Sequence, residues 1–175
     1  MTALPAGTPF PQMTLDKIGG GTLTLGAPQG GHDWQIVVIY RGLHCPKCKD
    51  YLAKLQGLQA QYHAAGIDVA VASGDPLDKA QAMSDEFAPG LPMGFGLSVA
   101  QMAALGLYIS DPRSPQETDR PFPEPGFFVI NPDGVIQMVD VSNVPFMRPD
   151  LEGVLAGIQF HRENGFPIRG THKAA

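Results

Sequence analysis

Two near-continuous apolar runs, WQIVVIY at residues 34–40 and IDVAVAS at 67–73, constrain this chain more than any other feature. A run without polar alternation suits a strand covered on both faces, so the sheet it joins needs a layer above and a layer below. The stretch between the runs has the length and pattern of a helix. Pro46 is placed for a first helical turn, and Tyr51, Leu55, Leu58 and Tyr62 follow at steps of four and three, giving one apolar face that ends near Gly66. Strand, helix, strand at this spacing predicts parallel pairing through a right-handed crossover.

The remaining segments extend the same scheme. Residues 10–25 alternate around a glycine cluster and predict an N-terminal hairpin. GDPLDKAQAMSDEF predicts a second helix with Asp75 as N-cap and Pro76 in its first turn. A short run at LPMGFGLS precedes a brief helix in VAQMAALGL, and residues 109–125, with five prolines, read as loop. Residues 126–142 carry two β runs around Asn131-Pro132-Asp133-Gly134, a hairpin turn. Asp150 is the N-cap candidate of a closing helix whose Leu151, Val154, Leu155, Ile158 and Phe160 can cover a sheet face. With 175 residues, 43% of them hydrophobic, the chain is expected to form one domain over 1–175, with a frayed tail at 170–175. Trp34, Tyr40, the Phe127-Phe128 pair and the methionines Met83, Met93, Met102 and Met138 are expected in the core.

Several function classes fall away on composition. A net charge of −5 gives no overall positive field for nucleic acid or an anionic membrane. No segment has the unbroken apolar length of a membrane span, and the amino terminus lacks a basic start followed by an apolar run, so a cytoplasmic location is expected. The glycine-rich GGGTLTLGAPQGG lacks the lysine-serine ending of a phosphate loop, and no cofactor is expected.

The chemistry concentrates at Cys45 and Cys48, the chain's two cysteines, in YRGLHCPKCKDYLAKL. A bridge between residues this close in sequence closes almost no loop, so it does little to staple a fold. The junction puts Cys45 at the start of a helix, where unpaired N–H groups and the positive end of the macrodipole stabilise a thiolate. Cys48, three residues on, lies on the same face within disulfide reach. A free cysteine has a pKa of roughly 8.5, and such settings lower it to about 3.5–7.5. Arg41, Lys47, Lys49 and Lys54 add four of the twelve basic residues around the motif. His44 is placed to tune the thiol or move a proton. A metal reading stays open: a zinc site wants four ligands, so His44, His32 or His63, or a second subunit, would have to join the two thiolates. An iron–sulfur cluster shared across a dimer is the same idea. A C-x-x-C following a strand inside a βαβ pattern favours redox.

On VVIYRGLHCPKC, the second strand with SGDP, INPDGVI and the closing helix, in that order, the chain resembles the thioredoxin superfamily. Within it, the likeness is to the alkyl hydroperoxide reductase and thiol-specific antioxidant family, in its peroxiredoxin-like branch. The resemblance implies an α/β thioredoxin-like fold: a central mixed sheet flanked by helices, with the N-terminal β-hairpin as an extension. It also implies a redox-active Cys45/Cys48 pair with Pro125 beside it, to which the residues themselves add Arg41, His44, Pro46 and Lys47 in support. The partners it implies are a disulfide-containing protein or small hydroperoxide, a separate thiol reductant, and a second copy in a homodimer.

Two departures stand out. Typical relatives place Thr or Ser three residues before the attacking cysteine and Pro seven before it, where this chain has Gly42 and Val38. They also carry an arginine ahead of the late strand, where Pro125 stands and resembles the cis-proline of thioredoxins. For a peroxidase, the missing donor would have to come from Arg41, Arg113 or Arg120. Disulfide exchange and peroxide reduction share both cysteines and the oxidised product.

Overall fold

A computed structural model describes residues 4–172. The N-terminal hairpin forms from β1 (Met13–Lys17) and β2 (Thr22–Leu25). Then come β3 (Trp34–Ile39), α1 (Pro46–Ala64), β4 (Ile67–Ala72), α2 (Leu77–Phe87), β5 (Met93–Phe95) and α3 (Val99–Ala104). The chain continues through β6 (Ile109–Ser110), β7 (Phe122–Pro123), β8 (Gly126–Ile130), β9 (Ile136–Val141) and α4 (Leu151–Asn164). The main sheet is mixed, in the order β2-β1-β5-β4-β3-β8-β9. The pairs β3–β4 and β4–β5 are parallel, as the strand–helix–strand alternation requires, and the others are antiparallel. The hairpin extends the sheet by pairing β1 with β5.

Alternation along the buried strands divides the core in two. Ile36, Val38, Val69, Val71, Phe127 and Val129 face α1, α2 and α4. Val37, Ile39, Ala70, Ala72, Phe128 and Ile130 face the opposite side, where Met102 of α3 and Phe10, Leu15 and Leu23 cover them. Each uninterrupted run is therefore apolar because it has two faces to bury. Trp34, Tyr40, Met83, Met93, Met102, Phe127 and Phe128 are all buried, and Met138 packs at the core's edge.

The turn at residues 131–134 follows its side-chain chemistry. Asn131 Oδ1 accepts the N–H groups of Asp133 and Val135, both at 3.1 Å, and Gly134 takes a φ of 72°. Beside the 26–30 loop, Gln35 of β3 and Asp68 of β4 bond each other at 2.8 Å and accept the loop N–H groups of Gly26 and Gln29. These two buried polar side chains meet through partners on the other strand and the loop, a network the glycine-rich sequence did not announce.

Three local expectations are corrected. Asp75 does not cap α2. Pro76 holds the cap position without a side-chain bond, because the Asp75 carboxylate turns instead to the Leu43 N–H, at 2.7 Å. The proline-rich segment is not all loop, since β6 and β7 pair across it. Phe160 is half exposed: in α4 it lies off the face formed by Leu151, Leu155 and Ile158, and packs at a tilt against Phe166 instead. Asp150 does cap α4, accepting the Gly153 N–H at 2.8 Å. Residues 173–175 of the expected frayed tail lie outside the described residues. No helix among the described residues is long and apolar enough to cross a membrane.

Candidate active site

The site sits at the carboxyl end of β3, a central strand flanked by β4 and β8. From Tyr40 the chain turns through Gly42, whose φ of 144° suits glycine, and the Cys45 N–H donates to Gly42 O at 3.1 Å. A Cβ on Gly42 would lie 2.7 Å from Asp75 Oδ1. The position where typical relatives carry a hydroxyl is therefore filled from the far side by a carboxylate. Burial pushes that Asp75 carboxyl up, against the Leu43 N–H that lowers it.

Cys45 is the N-cap of α1, and its Sγ accepts the Cys48 N–H at 3.2 Å. Pro46 occupies the first helical turn, where its missing N–H costs nothing. Cys45 and Cys48 are joined as a disulfide, with Cα atoms 5.3 Å apart. Both are buried, at 1% and 0% exposure, among Leu43, Tyr51 and Leu52. An apolar setting alone describes an inert cysteine; the helix amide on Cys45 is what distinguishes this pair.

The sequence-adjacent cations are largely engaged elsewhere. Arg41 Nε meets Glu124 Oε2 at 3.1 Å, an ion-pair distance at an angle that falls short of a hydrogen bond, and its Nη2 lies 3.8 Å from Glu117. The same guanidinium covers the Phe122 ring at 4.7 Å. Lys49 lies over Phe87, and Lys54 pairs with Asp150 and Glu152. Lys47 is exposed, on the rim of an open cleft of about 430 Å³. Arg113 and Arg120 pair with Glu117 and Asp119. His44 packs edge-on against Phe122; burial and then the Arg41 charge pull its pKa down to about 4, so the ring is neutral near pH 7. His32 and His63 stack on each other with ring centroids 4.7 Å apart. Among the described residues no three His, Cys, Asp or Glu side chains gather as metal ligands.

The cation that reaches a sulfur is Arg148, in the segment before α4: its Nη2 donates to Cys48 Sγ at 2.9 Å. Its Nε donates to Pro145 O at 2.9 Å, and the guanidinium covers Tyr51 of α1 at 4.8 Å. Tyr51 and Tyr62 donate to Pro149 O and Leu151 O, which draws this segment along α1. Pro125 is trans and lines a small crevice with Tyr51 and Arg148. Sequence reading missed Arg148, Asp75 and Glu124. A basic residue two positions ahead of a helix cap carries no local signal; it becomes legible once α4 is known to dock on α1.

A sequence profile described as the AhpC/TSA family matches residues 6–139. No curated protein sequence matches the chain. Among solved structures, a peroxiredoxin-like protein from Aquifex aeolicus is similar at TM-score 0.75 and 16% identity, over 91% of this chain and 89% of that one. A cysteine-to-serine mutant of peroxiredoxin 6 from Arenicola marina also gives 0.75 at 16% identity, over 92% and 74%. AhpC from Enterococcus faecalis gives 0.70 at 18% identity, over 99% of both chains. These likenesses establish the thioredoxin-like peroxiredoxin fold, with its mixed sheet and flanking helices.

Proposed function

The chain belongs to the AhpC/TSA family, and from that premise we propose that it works through Cys45 and Cys48, opening and closing one disulfide. The family is one of thiol-dependent oxidoreductases, acting on hydroperoxides with thiol reductants and commonly as dimers, and this chain is a thiol-based redox enzyme. The observation that carries the assignment of roles is Cys45 Sγ at the helix cap, accepting the Cys48 N–H with the second sulfur in bonding contact.

Thiol–disulfide exchange is the reaction this geometry supports best. The Cys45 thiolate attacks a substrate disulfide, one substrate sulfur leaves as thiolate, and a mixed disulfide forms. The Cys48 thiolate then attacks Cys45 Sγ, the second substrate sulfur leaves, and the Cys45–Cys48 bond closes. Two electrons pass to the substrate, and a separate thiol reductant restores the pair. Gly42 offers no hydroxyl to orient a peroxide, and Arg41 is held by Glu124. Pro46 starts the helix, Lys47 stands at the cleft rim, His44 supplies a neutral ring beside the loop, and Pro125 walls the crevice behind.

Family membership favours a second oxidant for the same pair. With a hydroperoxide, Cys45 takes the terminal oxygen and the alkoxide leaves, to be protonated as the alcohol. Cys48 then displaces hydroxide from the sulfenic acid, which leaves as water once protonated. Because both sulfurs are buried, either substrate needs neighbouring side chains to move aside. Titrating the reduced protein anaerobically with hydrogen peroxide and, separately, with a protein disulfide tests both routes by the loss of free thiols. Fast disulfide reduction that vanishes in Cys45→Ser is expected; equal activity in wild type and variant would contradict the assignment. Rapid Cys45-dependent peroxide consumption with no disulfide reduction would select the peroxidase.

A further inference from the structure

We propose that Arg148 is a further catalytic residue, holding Cys48 as a thiolate when the disulfide opens and so directing an incoming reductant to Cys45. The inference rests on the Cys45/Cys48 reading above and adds which sulfur leaves.

Arg148 has the surroundings of a cation kept for an anion that is not always there. It is half-buried, and burial pulls its pKa down to about 10, still far above neutrality. Among the described residues no carboxylate lies within ion-pair distance of it. Its polar contacts are Pro145 O and Cys48 Sγ, and its face is against Tyr51. The Glu124 charge acts on it only from beyond ion-pair distance, and a desolvated cation without a close counter-charge is unfavourable, whereas a hydrogen bond from it to an anion is among the strong ones. The group at its Nη2 that can become an anion is Cys48.

The reductive half-cycle then has a direction. An external thiolate attacks Cys45 Sγ, the Cys45–Cys48 bond breaks, and the electron pair leaves on Cys48 Sγ beside the guanidinium. A second external thiolate attacks the outer sulfur of the mixed disulfide, releasing Cys45 as thiolate and one external disulfide. Two external thiols are oxidised and the protein gains two electrons; the protons shed by the thiols go to solvent or to the cysteine that takes one up. A lower leaving-group pKa speeds the first step, and a stabilised reduced form makes the pair more oxidising.

The test is equilibration of the full chain with glutathione redox buffers, for wild type, Arg148→Met and Arg148→Lys, with quenched mapping of glutathione on each cysteine. Arg148→Met is expected to shift the equilibrium about tenfold toward the disulfide, which for two electrons is about 30 mV, while Arg148→Lys recovers part of the shift. Glutathione should map to Cys45 in wild type and spread to Cys48 in Arg148→Met. A folded Arg148→Met with wild-type equilibrium and wild-type mapping overturns the inference. Should Arg148→Met not fold, Arg148→Gln makes the same comparison with a neutral hydrogen-bonding side chain. A wild type whose Cys45 never forms a mixed disulfide overturns the underlying reading, a failure distinct from variants that merely match it.

Discussion

Arg41 and Arg148 flank the same cysteine pair, one near it in sequence and one a hundred residues away, and they differ in what neutralises them. Arg41 lies against Glu124 and Glu117, with its side chain 16% exposed and theirs 4% and 7%. Arg148 donates to a sulfur and a carbonyl, with no carboxylate within ion-pair distance among the described residues. The first is a closed ion pair between the β3 end and the 117–124 segment, expected to hold in either redox state. The second is an open cation whose partner appears only on reduction. Sequence proximity to a reactive group is thus a poor guide to which charge acts on it; the availability of the charge decides.

The largest effect should come from breaking the closed pair. Arg41→Met leaves Glu124 buried with Ser110 as its remaining partner, and is expected to cost about 3 kcal/mol of stability. Urea melts of the oxidised and reduced protein should show the same loss. A loss confined to the reduced form would give Arg41 the role assigned here to Arg148. Next is Gly42→Thr, which restores the residue type of typical relatives at a φ of 144° and drives a Cβ toward Asp75. It should lose about 2 kcal/mol and gain no peroxide rate; faster peroxide consumption would mean that the missing hydroxyl is what limits that reaction.

His44 beside Arg41 sharpens the comparison through pH. Its folded pKa of about 4 lies below the ordinary value of 6.5, so between these the unfolded chain binds more protons and stability falls as pH drops through the window. Discounted for the ring's partial exposure, the loss is about 1–2 kcal/mol, and His44→Phe should remove it from a stability–pH profile between pH 7 and 4. An unchanged profile would place that proton elsewhere. The smallest effect is expected for Arg148→Met in the oxidised protein, within about 1 kcal/mol, because the cation removed had no carboxylate to strand. The reduced form should lose about 1.4 kcal/mol more, the tenfold shift read as stability.

Much of the layered fold was legible because local chemistry and burial agree. The unbroken runs became β3 and β4, the four-three spacing became the buried face of α1, and Asn131 to Gly134 became the β8–β9 turn. Asp75 misled because a carboxylate before a proline looks like a cap, while the Leu43 N–H, distant in sequence, competed for it and won. At the site, the spacing of Cys45 and Cys48 and the helix cap were legible. The electrostatics were not, since the four sequence-near cations are paired, stacked or exposed and the acting one arrives with α4.

The most direct test of the account is alkylation of the reduced protein across pH 4–10, with the modified cysteine identified at each pH. The helix cap predicts that Cys45 reacts with a midpoint below about 7.5, well under that of a free thiol. A midpoint near 8.5 at Cys45, the value of an unperturbed cysteine, would contradict it.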